Sequence, residues 1–230
     1  MPAATPIFSK ATFQFLRDLK RNNRTEWMHA HRERYQQELM QPVRELLVRI
    51  APAVQKIAPA TTISGMVNTN FSRINRDIRF AKDKSPYRAR MYVMLPDGSL
   101  PETDEICYYV GVHPDEVTMG IRAYSLARDS HMRTVIGPRA LAHSKWLAAQ
   151  SRKLDRKYES YWHATEKGEW AKHPGWPTKP EEWKRIGAWI IRRVTTPAAA
   201  TRAGFEREVM QAFRDLAPLY RFITAKTWKA

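Results

Sequence analysis

The hydrophobic positions of this 230-residue chain change period twice, from helical to alternating and back. After a short extended lead-in through residue 8, Ser9 stands where a helix N-cap is expected. Phe13, Leu16 and Lys20 then fall on one side of a helix, with Phe15 and Leu19 beside them. Asn22-Asn23 stops it, because Asn tolerates left-handed cap geometry. Thr25 can cap a second helix, on which Trp27, His31 and Tyr35 share a face. Pro42 suits the first turn of a further helix. Leu39, Val43, Leu46, Ile50, Val54 and Ile57 make an apolar stripe of the kind that packs a core.

Residues 58–70 lose all periodicity and read as a connection. A turn is expected at Asp83-Lys84-Ser85-Pro86. From 87 to 95 the period becomes two: Tyr87, Ala89, Met91, Val93 and Leu95 point one way, and Arg88, Arg90, Tyr92 and Met94 the other. Pro96-Asp97-Gly98 opens a long hairpin loop. Strands over 106–112 and 117–124 complete an antiparallel meander.

Helical spacing returns after Ser125, with Leu126, Met132, Val135 and Ile136. Gly137-Pro138 is expected to end that helix and start one carrying Leu141, Trp146 and Leu147. Residues 158–182, rich in aromatics and proline, read as an ordered loop wrapping the core with Trp162, Trp170 and Trp176. Pro180 begins a short helix through Trp183, Ile186 and Ile190, and the chain breaks again from Thr195 to Ala200. The last helix carries Phe205, Val209, Phe213, Leu216 and Ile223, with Pro218 bending or splitting it. Helices before and after a block of strands predict a single α+β domain over residues 1–230, its meander packed against N- and C-terminal helices.

Charge alters this picture. Lys and Arg number 39 against 23 Asp and Glu, a formal charge of +16, which favours polyanionic partners. The stretch FSRINRDIRFAKDKSPYRARMYVM, residues 71–94, concentrates seven cations around large apolar residues. A disordered basic tail lacks such residues, so the stretch reads as a folded surface holding a positive field. Its candidate ligand-binding residues are Arg73, Arg76, Arg79, Lys82, Lys84 and Arg88. Asn23, Trp27 and His31 complete a pocket if the N-terminal helix docks beside the meander. Arginine suits a phosphate because its planar fork donates two parallel hydrogen bonds. Residues 73–79 are compatible with helix, where the three arginines step slowly around one side, or with extended chain, where Arg76 points away from Arg73 and Arg79.

The leading expectation is a cytoplasmic protein that binds an anionic, phosphate-bearing small molecule. Two alternatives stand beside it. Asp77 or Asp83 could serve an enzyme as acid/base or metal ligand, with the cations stabilising developing charge. A nucleic-acid binder would instead present a broad positive stripe. The aspartates could equally be structural partners of the cations. The aromatic segment 158–183 has a second possible role, stacking bases.

The remaining signals are sparse. The seven histidines show no metal-ligand spacing, and no Gly-rich phosphate loop or nucleophile elbow occurs; the sequence does not identify a cofactor. The single cysteine, Cys107, excludes an internal disulfide, reads as a buried inert thiol and fits a reducing compartment. No secretory signal is expected at MPAATPIFSK, and no apolar run reaches the length of a membrane-spanning helix.

Two blocks carry a resemblance: FQFLRDLKRNNRTEWMHAHRERYQQELMQPVRELL and FSRINRDIRFAKDKSPYRARM. They are similar to the signature blocks of the DUF2461 family, conserved proteins of unknown function found mainly in bacteria. Its central pattern is close to R-[IV]-x-R-D-x-R-F-[SA]-K-D-K-x-P-Y-[KR]. Arg73, Arg76, Asp77, Arg79, Phe80, Lys82, Asp83, Lys84, Pro86, Tyr87 and Arg88 stand at its positions, and Asn22, Asn23 and Trp27 at those of the N-terminal block. The resemblance runs nearly the whole chain, with Lys167-Gly168 and His173-Pro174 echoing a later segment. It implies a single α+β domain and points to the same basic block.

Overall fold

The computed structural model describes residues 5–101, 104–125, 127 and 129–229. Helix α1 (Lys10–Arg21) begins after Ser9, whose N–H reaches Thr12 Oγ1 at 3.4 Å, and buries Phe13, Phe15, Leu16 and Leu19. Each such side chain contributes about 1.5–3 kcal/mol on leaving water. Asn22 ends the helix without left-handed backbone (φ −120°) by donating Nδ2 to Asp18 O at 3.0 Å. Helix α2 (Thr25–Ala30) starts from Arg24, so Thr25 is its first residue and not its cap. A turn, α3 (Arg32–Arg34), widens into a π-helical segment (Tyr35–Met40) that runs into α4 (Gln41–Ile57). Pro42 therefore lies in the first turn of α4 but inside a continuous helical run, just after the π-helical segment passes into α4.

The meander forms as expected for its second and third strands: β1 (Met91–Pro96), β2 (Glu105–Val112) and β3 (Val117–Tyr124), all antiparallel. The first strand begins at Met91 and not at Tyr87, because residues 86–88 pair instead with the basic block. Arg76 N donates to Pro86 O (2.8 Å) and Arg88 N to Ile74 O (2.7 Å).

The second half departs further from expectation. A π-helical segment (Met132–Ile136) passes into α5 (Gly137–Ala142) without a break at Gly137-Pro138; the break falls at His143, before α6 (Ser144–Leu154). Leu126 lies outside the described residues. The expected wrapping loop is a hairpin, β4 (Glu159–Glu166) and β5 (Glu169–Pro174). It is closed by Lys167 and Gly168, both at positive φ (50° and 83°), which suits the twist of a tight hairpin. Helix α7 (Pro180–Arg185) stops short, and Ile186 and Ile190 belong to β6 (Ile186–Thr195). The expected break holds a short helix, α8 (Pro197–Ala200). Pro218 does not split α9 (Phe205–Thr224), which runs through it.

The result is an α+β fold with a six-stranded antiparallel sheet in the order β1-β2-β3-β6-β4-β5. Helices α4 and α9 pack together, and α9 lies on β2 and β3. That side is the main core, into which Tyr108, Val110, Met119, Ile121 and Ile191 point. The other side holds only a small cluster, Cys107, Tyr109, Ala188 and Ile190, beneath half-buried tyrosines. No described helix is long and apolar enough to cross a membrane.

Candidate functional site

The basic block is an irregular ribbon and not a helix. Bridges Phe71↔Val93 and Asn75↔Tyr87, with Ser72 N donating to Tyr92 O (3.1 Å), lay residues 71–76 along 86–93. Apolar side chains fix its inner edge: Phe71, Ile74 and Tyr87 are buried. Asn23 fixes it from the α1–α2 turn, donating Nδ2 to Tyr87 O (2.8 Å) and accepting from Tyr87 N (3.0 Å).

This geometry divides the predicted cations. Arg76 and Arg88 face a groove of about 470 Å³ that Lys20, Asn23, Arg90 and His113 also line. Arg73 and Arg88 border a second concavity of about 470 Å³ with Arg90, Tyr92 and Arg122. The connecting tip disperses the others. Arg79 donates to Asp77 (2.7 and 3.0 Å) beside Phe80, which is 96% exposed. Lys84 donates Nζ to Ile78 O at 3.0 Å, a staple within the tip. Lys82 is exposed there too. The expectation that six cations share one concavity thus holds for Arg76 and Arg88, with Arg73 next door.

Trp27 and His31 stack on each other at 4.1 Å, and Trp27 leans on Phe15 at 5.8 Å. His31 Nδ1 is engaged with Trp27 O (2.8 Å), and neither ring lines the groove. Asn23 does line it, with its amide committed to Tyr87.

Both aspartates are exposed and held ionised. Hydrogen bonds from Arg79 lower the Asp77 pKa. Ser85 and then Arg76 push Asp83 far below the usual carboxylate range; Ser85 donates N (2.9 Å) and Oγ (2.6 Å), and Arg76 pairs with the other oxygen. A carboxylate so stabilised is a poor proton donor or acceptor near neutrality. No group of three or more His, Cys, Asp or Glu side chains suited to a metal comes together among the described residues.

Arg90, one of the block's seven cations, and His113 were not among the predicted site residues, yet both line the groove. Arg90 lines the groove, the second concavity and a third one of about 340 Å³ on the open sheet face. The signal was the alternation that sends Arg88, Arg90 and Tyr92 to the face opposite Met91 and Val93. Burial, and then the charges of Arg90 and Arg192, lower the His113 pKa to about 4, so its ring is neutral at pH 7. Its buried Nε2 has no hydrogen-bond partner among the described residues. Gly111 makes room for this corner: a Cβ there would lie 2.6 Å from the Tyr92 ring and 3.0 Å from His113 Nε2.

Residues 11–222 match the family model described as a conserved hypothetical protein (DUF2461). The chain belongs to the DUF2461 family. Both blocks that carried the resemblance fall inside the match, and the Asn23–Tyr87 clamp joins one DUF2461 block to the other. No curated protein matches the chain.

Proposed function

We propose that this DUF2461 protein binds an anionic, phosphate-bearing ligand in the trough that runs past Arg88 and Arg90. One observation carries the reading: Arg90 borders all three adjoining concavities and has no ion-pair partner among the described residues. Arg88 lies beside it, engaged only through one donation to Arg73 O at 3.3 Å among those residues. Guanidinium groups without carboxylate partners are suited to receive phosphate oxygens through paired, charge-assisted hydrogen bonds. Asp77 and Asp83, each tied to a local partner, favour binding over acid/base catalysis. A cytoplasmic setting belongs to the same proposal and is consistent with the lone buried thiol, whose pKa burial pushes up to about 12.

Calorimetric titration with inorganic phosphate and pyrophosphate tests it. Arg90→Ala should weaken binding by about 1.5–3 kcal/mol, roughly 10- to 150-fold. Arg79→Ala, at the tip, should leave it nearly unchanged. Absence of binding by the wild-type protein, or equal loss in both variants, would overturn the reading.

A further inference from the structure

The third concavity is chemically unlike the first two. Strands that alternate usually give an uncovered sheet face to solvated polar residues without large rings or concavities. Here that face carries rings and guanidinium groups instead. Tyr161 and His163 of β4, Trp170 of β5, Arg122 of β3 and Arg192 of β6 surround about 340 Å³ that Arg90 closes at one end. The volume lies at the small end of the range for ligand sites, roughly 300–1,000 Å³.

Two features suit a flat, hydrogen-bonding ring. The first is a platform. The His163 and Trp170 rings stack at 5.3 Å and 8°, and Trp170 stays 44% exposed with Tyr124 against its edge. An exposed indole backed by a parallel ring offers one open π-face. The second is a set of polar edges. Arg122 pairs with Glu105 through one terminal nitrogen, while its buried Nε has no partner among the described residues. His163 Nδ1 is likewise buried without one. Burial, then Lys172 and His173, lower the His163 pKa and favour the neutral ring, which can donate from one nitrogen and accept at the other.

A sugar would call for free carboxylates and amides to accept from its hydroxyls. The carboxylates here are engaged: Glu105 with Arg122, and Glu159 with Arg192 at 2.9 Å. A planar base answers both the platform and the unpartnered donors.

We infer that the phosphate-bearing ligand is a nucleotide, its phosphate at Arg88 and Arg90 and its base in the basin formed by Trp170, His163, Tyr161 and Arg122. This inference rests on the phosphate reading above and adds the identity of the other half of the ligand. The nucleotide is either free or one unit of a single strand, since both present the same chemistry.

Calorimetry on the full chain separates the parts. The probes are AMP, CMP, ribose 5-phosphate, inorganic phosphate and octamers of deoxythymidylate and adenylate. At least one nucleotide should bind roughly ten-fold or more tightly than ribose 5-phosphate, because stacking of a base on an aromatic ring adds to the phosphate contacts. Trp170→Ala should reduce the nucleotide to the level of ribose 5-phosphate and leave ribose 5-phosphate itself unaffected; Arg122→Gln, at a residue that also borders the second concavity, should weaken the nucleotide more than ribose 5-phosphate. Unchanged ribose 5-phosphate binding by Trp170→Ala reports an intact fold; Trp170→Leu serves where the alanine variant melts early. Where a nucleotide outbinds ribose 5-phosphate, an octamer that still binds more tightly than the mononucleotide once salt screens the phosphate charges identifies a strand, and one that does not identifies the free nucleotide. If phosphate binds but nucleotide, octamer and ribose 5-phosphate bind equally, the base site is overturned and the phosphate reading survives. If nothing binds, both fall.

Discussion

Asn23 and Tyr87 hold each other through both groups of one side-chain amide. Nδ2 donates to Tyr87 O at 2.8 Å and Oδ1 accepts from Tyr87 N at 3.0 Å, across 64 residues of sequence. No other residue type of that length supplies a donor and an acceptor together. Asn23→Ala leaves the half-buried peptide of Tyr87 unpaired and should cost about 1–3 kcal/mol. Because the same peptide anchors the ribbon that presents Arg88, phosphate binding should weaken in step. Thermal melting and titration of one variant check both, and a loss of stability with unchanged binding would separate the clamp from the site.

Asp83 borders the groove and neutralises Arg76. Asp83→Asn removes a negative charge from the rim and frees a guanidinium. Phosphate affinity at low ionic strength should rise a few-fold, and the gain should shrink as salt is added, since exposed charges are screened beyond about 10 Å at 0.1 M. Titrations at two salt concentrations measure it. Were Asp83 a carboxylate that orients the ligand by accepting hydrogen bonds from it, the same change would weaken binding.

Gly111 occupies the one place in β2 where a side chain would strike the open-face rings. The Cβ of Gly111→Ala would stand 2.6 Å from both the Tyr92 ring and Thr118 Oγ1. Overpacking of this kind costs about 1–3 kcal/mol. Since the displaced ring lies between Arg90 and Arg122, nucleotide binding should fall more than phosphate binding. Urea unfolding and paired titrations give the two numbers.

How far the sequence foretold this molecule depended on how local each signal was. The apolar stripe of α4 is written in consecutive residues, and so is the alternation that gives β1 its two faces; both were legible. Trp183, Ile186 and Ile190 fall at helical spacing, yet Ile186–Thr195 pairs with β3 and β4, so tertiary pairing overrode the local period. The hairpin at Lys167-Gly168 was missed because aromatics and proline masked a two-residue turn that has no Asn or Asp. At the site, the density of cations marked the right ribbon. It could not say which of them face inward, because the choice is made by Asn23, distant in sequence, and by the irregular pairing of residues 71–76 with 86–93. Arg122 and His163 carry no local mark at all.

Acid should expose His113. Its folded pKa is about 4 against an ordinary value of 6.5, chiefly from burial and then from Arg90 and Arg192. An unfolded chain therefore takes up a proton near pH 6.5 that the folded chain refuses until about pH 4. Stability from this group is complete above about pH 6.5 and is lost as the pH falls through that window, a change of about 1–3 kcal/mol once solvent screening of the half-buried ring is allowed for. His113→Gln has no proton to gain and should flatten the dependence, leaving the smaller share in the same direction from His163, whose pKa is also lowered. Bound phosphate places negative charge beside the imidazole and should raise the His113 pKa, so as the pH falls toward 5 and phosphate itself passes to the monoanion, wild type should lose less affinity than His113→Gln. Unfolding titrations at several pH values, with and without phosphate, read both effects; identical slopes for wild type and His113→Gln would remove His113 from the account of each.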